Sequence, residues 1–105
     1  MDIAILRFLR GEAYGKENAY TGEEICKMFN INGAMLRGIV HEWRAKGYPI
    51  CSDSGGYYYA KTQEELERTI KQLTSRAKKI SEAVDGLMLT YSLWNIGEGV
   101  KQVTQ

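Results

Sequence analysis

Residues 33–60 read GAMLRGIVHEWRAKGYPICSDSGGYYYA, and the change of pattern halfway along decides the fold. Before Gly47, Leu36, Ile39, Val40 and Trp43 recur at helical spacing, and Gly47 suits the position just past a helix end. This predicts a helix from about Ala34 to Lys46. Tyr48-Pro49-Ile50-Cys51-Ser52 is strand-like, and Pro49 restricts it to an edge or a strand start. Ser52-Asp53-Ser54-Gly55-Gly56 reads as a hairpin turn, and the aromatic run Tyr57-Tyr58-Tyr59-Ala60 as the returning strand.

Upstream, Thr21-Gly22-Glu23-Glu24 is a capping box that opens a helix with Ile25, Met28 and Phe29 expected inward. That helix stops in the turn-rich Asn30-Ile31-Asn32-Gly33, so the two helices form a helix-turn-helix unit. Residues 3–9 predict a first short helix ending at Gly11, and residues 11–20, with glycines, an asparagine and mixed charge, predict a loop.

Downstream, a second capping box, Thr62-Gln63-Glu64-Glu65, starts a long helix. Leu66, Ile70, Leu73, Ala77, Ile80, Val84, Leu87, Tyr91 and Trp94 follow at alternating spacings of four and three, an unbroken heptad seam. Gly86 is the point where the helix would kink or end. Eight of the thirteen residues 84–96 are apolar, more than a small domain could cover, so the seam predicts a homodimer or higher homo-oligomer. The expected oligomerisation residues are Leu73, Ala77, Ile80, Val84, Leu87, Tyr91 and Trp94.

The expected fold class is mainly α with a small β-hairpin: a winged helix-turn-helix at 1–61, a long heptad-patterned helix at 62–95 and a flexible tail at 96–105. The run from His41 to Ile50, a helix ending in Gly followed by Tyr-Pro-Ile, and then Gly56-Tyr57-Tyr58, resembles the DNA-binding domain of the biotin repressor and its relatives. With the Glu-Glu-Leu start of the last helix, the chain is similar to small winged-helix proteins of phages and prophages. The resemblance implies sequence-specific binding of double-stranded DNA, in transcription regulation or as a replication or recombination accessory.

At about 100° per residue, Ala34, Arg37, Gly38, His41 and Ala45 fall opposite Leu36 and Trp43, with Arg44 beside them. Small residues let a helix backbone approach a groove floor, Arg37 could bond a guanine edge, and Asn32 could read adenine or hold a phosphate. The expected DNA-binding set is therefore Asn32, Ala34, Arg37, Gly38, His41 and Arg44, with Ser52, Ser54 and Gly55 at the wing. Asp53 at the wing tip would repel phosphate, and the alternative for the whole face is a solvated helix surface.

Charge adds direction. The 14 basic and 13 acidic residues leave a net charge of +1, so any nucleic-acid surface must come from local segregation. Residues 32–61 carry four basic groups against two acidic ones. Arg68, Lys71, Arg76, Lys78 and Lys79 form an acid-free run, for which a solvated coiled-coil flank is the ordinary explanation.

An enzyme is not expected: there is no Gly-rich phosphate loop, no metal constellation and no triad spacing, and Glu23-Glu24 and Glu64-Glu65 belong at helix starts. No cofactor is expected. Cys26 and Cys51, 25 residues apart and far from a second ligand pair, read as reduced thiols. With no apolar stretch of spanning length and no secretory pattern, a cytoplasmic location without membrane is expected. The rival to DNA binding is a non-catalytic protein-interaction module on the same scaffold.

Overall fold

A computed structural model of the protein describes residues 2–96. The chain is mainly helical, with one two-stranded antiparallel hairpin and a long C-terminal helix, the expected class. In order, the elements are α1 (Ile3–Glu12), α2 (Gly22–Phe29), α3 (Gly33–Ala45), β1 (Ile50–Asp53), β2 (Gly56–Tyr59) and α4 (Gln63–Ile96), with a short 3-10 turn at Lys16–Asn18.

Each helix start is chemically marked. The Asp2 carboxylate accepts from the Ala4 N–H at the start of α1. The Thr21 hydroxyl accepts from the Glu24 N–H, while the Glu24 carboxylate accepts from the Thr21 N–H at 2.8 Å, so the capping box forms as read. Asn30 closes α2 in the left-handed region (φ 54°), a conformation Asn tolerates better than most residues. Asn32 Oδ1 then accepts from the Met35 N–H at 2.8 Å and caps α3.

The core sits where these helices meet the hairpin. Ile5, Leu6 and Leu9 of α1, Ile25 of α2, Leu36, Val40 and Trp43 of α3, and Ile50, Cys51 and Tyr58 of the hairpin are buried together. Fully burying each large aliphatic side chain contributes ~1.5–3 kcal/mol. Phe8 packs edge-on against Tyr20 and Phe29, at centroid distances of 4.9 and 5.7 Å, and seals the edge of this core. Met28, expected inward, is instead half exposed: Ile25 and Phe29 take the buried side of α2.

The hairpin is tighter than expected. Asp53 pairs with Gly56, leaving only Ser54-Gly55 as the loop. Two features close it so early. Asp53 Oδ1 accepts from the Gly55 N–H at 2.8 Å, and Gly56 adopts φ 121°, open to glycine at no steric cost. A Cβ at Gly56 would also run into the Tyr20 carbonyl.

That close approach exposes a second departure. Residues 13–20 are not a plain loop; they pair with the free edge of β2. Tyr20 and Tyr57 exchange N–H···O bonds at 3.0 and 2.8 Å, Tyr59 N–H donates to the Ala13 carbonyl and Gly15 N–H to the Tyr59 carbonyl. The pairing occupies backbone groups that would otherwise form an open sheet edge.

Glu65 locks α4 onto this arrangement. Its carboxylate accepts from the backbone N–H of Lys61 at 2.7 Å, of Thr62 at 3.4 Å and of Lys16 at 2.9 Å, while the Thr62 hydroxyl accepts from the Glu65 N–H. Burial pushes the carboxyl pKa up, but these three N–H groups and the nearby Arg68 charge outweigh it and hold the pKa below its ordinary value. One turn on, buried Thr69 accepts from the Ser52 N–H at 3.4 Å.

The chain divides into two compact units at Ile70/Lys71 rather than at 61/62. The reason is local: Glu65, Leu66 and Thr69 belong to the packing of the first unit, so α4 contributes its first two turns to it. α4 continues unbroken through Gly86, where an added Cβ would meet nothing. Of the expected 96–105 tail, residues 97–105 lie outside the described residues.

Candidate nucleic-acid interface

α3 is held by three inward side chains, Leu36, Val40 and Trp43, which fix its rotation about its own axis. Trp43 packs edge-on against Tyr48 at 5.1 Å and carries Lys46 Nζ 5.2 Å from its ring, with its indole Nε1 buried and unpartnered. It is a core residue, as read from its spacing. The rotation leaves Ala34, Arg37, Gly38, His41 and Ala45 exposed together on the opposite face. A Cβ at Gly38 would meet nothing within 4 Å, so packing does not demand glycine there; its effect is a low backbone surface beside Arg37 and His41. A Cβ at Gly33 would lie 3.2 Å from Arg37 Nη1, so the bare Gly33 makes room for the guanidinium over the first turn of α3.

Arg37 also forms one wall of a shallow cleft of about 380 Å³ between the starts of α2 and α3. Gly22, Glu23, Cys26, Gly33, Leu36 and Tyr57 complete it. Nothing in the local sequence marks this cleft, because its walls come from three separate elements. Asn32 lies at the head of the same face, but its side-chain oxygen is committed to the cap, leaving its amide NH₂ to make outside contacts.

Arg44 departs from the expected set. Its Nε donates to the Ile50 carbonyl at 2.7 Å and its Nη2 to the Ser52 hydroxyl at 3.1 Å. Arg44 and Ser52 are half buried. Arg44 lies on the flank of α3 next to β1, so its guanidinium braces the hairpin instead of lying on the open face, and it takes Ser52 with it.

At the hairpin tip, Ser54 and Gly55 are exposed. Asp53 is turned back: one carboxylate oxygen holds the Gly55 N–H and the other lies 3.9 Å from Lys16 Nζ. The negative charge expected to repel phosphate is thus partly balanced by Lys16, a residue the sequence placed in a featureless loop.

The remaining chemistry is sparse. Cys51 is buried, with its thiol donating to the Glu65 carbonyl at 3.7 Å, and burial pushes its pKa up despite the lowering effects of Thr69 and Arg44; it is not an activated nucleophile. Both cysteines are free thiols, and Cys26 is half buried at the cleft. Among the described residues no group of three or more His, Cys, Asp or Glu could hold a metal ion, and no helix is long and apolar enough to cross a membrane.

The seam of α4 is laid out as the heptad spacing demands. Leu73 is half buried, while Ala77, Ile80, Val84, Leu87, Tyr91 and Trp94 are exposed, Leu87 at 70%. Met88, Leu89, Leu93 and Ile96 add to this apolar surface.

Comparison of the chain with protein-family models, with curated proteins and with solved structures finds no match.

Proposed function

We propose that the protein is a non-enzymatic, duplex-DNA-binding module of winged helix-turn-helix type that self-associates through α4. The observation that supports this best is the face of α3: Ala34, Gly38 and Ala45 keep it low, and Arg37 and His41 stand out from it. A low helix face with a projecting Arg fits a major groove, where Arg pairs bidentately with guanine. The order of two helices joined by a tight turn, then a hairpin, is the element order of a winged helix-turn-helix, and the run His41–Ile50 with Gly56-Tyr57-Tyr58 carries the resemblance to the biotin repressor domain. A regulatory, replication or recombination role inside the cell follows from that resemblance.

Self-association rests on the exposed seam. An apolar stripe of this length left in water is costly at about 25 cal/mol per Å². A second copy presents the same uncharged stripe, and pairing would also create a two-fold DNA reader with half-sites about one helical turn, or a multiple, apart.

The test is equilibrium binding of the full chain to duplex DNA over a range of salt, followed by site selection with Arg37→Ala. Neutralised phosphates release counterions, so affinity falls steeply with salt. Arg37→Ala is expected to cost ~1–3 kcal/mol on a selected site and to relax preference at one base pair. The rival module that binds another protein is favoured by the modest net charge, and salt-insensitive or absent duplex binding would select it.

A further inference from the structure

α4 has a second face that neither the core nor the seam uses. Residues 71–81 carry Lys71, Arg76, Lys78 and Lys79 and no acid, while the rest of the chain carries 10 basic residues against 13 acidic ones. A protein of net charge +1 thus concentrates four positive charges in eleven residues and is net negative elsewhere.

Helical geometry orders these charges. The seam residues Leu73, Ala77, Ile80 and Val84 share one side of α4. At about 100° per residue, Lys71, Lys78 and Lys79 lie on the opposite side, and Arg76 flanks the seam. The three lysines are exposed. Glu67 and Glu82 stand four residues from Lys71 and Lys78, yet neither lies within ion-pair distance; the ion pairs among the described residues are Lys16–Asp53 and Lys61–Glu17. A helix flank that serves only solubility typically alternates sign and laces itself with such pairs. Here Glu67 and Glu82 flank the lysines on the same side of the helix, yet Lys71, Lys78 and Lys79 form no ion pair and stay exposed, so their ammonium groups are open to an external polyanion.

We infer that Lys71, Lys78 and Lys79 form a strip that grips the phosphate backbone of duplex DNA without reading sequence. The inference rests on the DNA-binding reading and deepens it. From Lys71 to Lys79 the helix rises about 12 Å, the axial length of three to four phosphates of one strand. Because the strip is opposite the seam, pairing of two chains leaves it open.

The test compares wild type with Lys71→Gln/Lys78→Gln/Lys79→Gln on a fluorescent duplex of arbitrary sequence, by anisotropy from about 50 to about 200 mM salt. Gln matches Lys in helix propensity, and circular dichroism and sedimentation confirm that fold and assembly are kept. The expected result is a salt slope shallower by about 2–3 and a wild-type advantage that shrinks roughly 40-fold across that range. The corresponding triple Arg variant should retain the wild-type slope. Equal slopes for wild type and the Gln variant, with wild type binding in a salt-dependent manner, overturn the strip and leave the DNA reading standing. Failure of wild type to bind at any salt overturns both. Loss of binding to phosphatidylserine–phosphatidylcholine vesicles with an unchanged DNA slope assigns the lysines to a membrane surface, and overturns the strip as well.

Discussion

Replacing Glu65 by Gln isolates the clamp that joins α4 to the rest of the first unit. The carboxylate has two acceptor oxygens: Oε1 serves Lys61 and Thr62, and Oε2 serves Lys16 across 49 residues of sequence. Gln keeps one carbonyl for the local pair. Its NH₂ then faces the Lys16 N–H, donor against donor. Hydrogen bonds to a charged group contribute ~1.5–3 kcal/mol and neutral ones ~0.5–1.5, and an unsatisfied buried N–H costs ~1–3. Some of that is returned because the buried charge no longer needs desolvating. The net loss is about 2–4 kcal/mol, which for a unit of this size lowers Tm on the order of 10–25 °C. The pH dependence follows from the depressed carboxyl pKa. The stabilisation is complete above the unfolded carboxylate value, about 4.3, and is lost as pH falls through the lower folded value. Thermal melts of both proteins should therefore show a wide gap at neutral pH that narrows with acidification. A drop of only a few degrees, or a gap that persists unchanged into strong acid, would refute the clamp.

Trp43→Ala should destabilise the protein by ~3–5 kcal/mol in a denaturant titration, because it empties the buried side of α3. Arg44→Ala removes the brace to Ile50 and Ser52; a loss of about 1–3 kcal/mol in stability is expected, with weaker DNA binding but an unchanged preferred sequence in site selection. Ile80→Asp puts a charge in the seam and should abolish the self-association proposed for α4 in equilibrium sedimentation, while leaving the first unit's melt intact; a wild type that sediments as a monomer would refute that association.

The elements of the fold were legible because their signals are local. Both capping boxes form where Thr21 and Thr62 announce them, and the inward set of α3 follows from spacing alone. What was not legible depends on contacts between distant segments. The pairing of residues 13–20 with β2 uses only backbone groups, so the glycines and mixed charge of that stretch carry no trace of it. A close reading of Gly56 could have hinted at a close backbone approach, but not at Tyr20 as the neighbour. Helical angles put Arg44 on the correct flank of α3, yet an angle does not say that β1 lies there to accept its guanidinium. The same limit hid the role of Glu65: the capping box foretells the bond from Thr62 but not those from Lys61 and Lys16. Of the residues expected at the site, Ala34, Arg37, Gly38, His41, Ser54 and Gly55 are exposed, whereas Arg44 and Ser52 are bonded to each other at the flank of the hairpin.

The central claim is that duplex DNA is held by the open face of α3. Amide chemical-shift mapping of the full chain during titration with a duplex tests it residue by residue. The expected pattern is large, salt-sensitive shifts at residues 32–45, above all at Ala34, Arg37, Gly38 and His41, with a smaller set at Ser54 and Gly55. No shifts with duplex, or shifts confined to α1 and the buried side of α3, would contradict the claim.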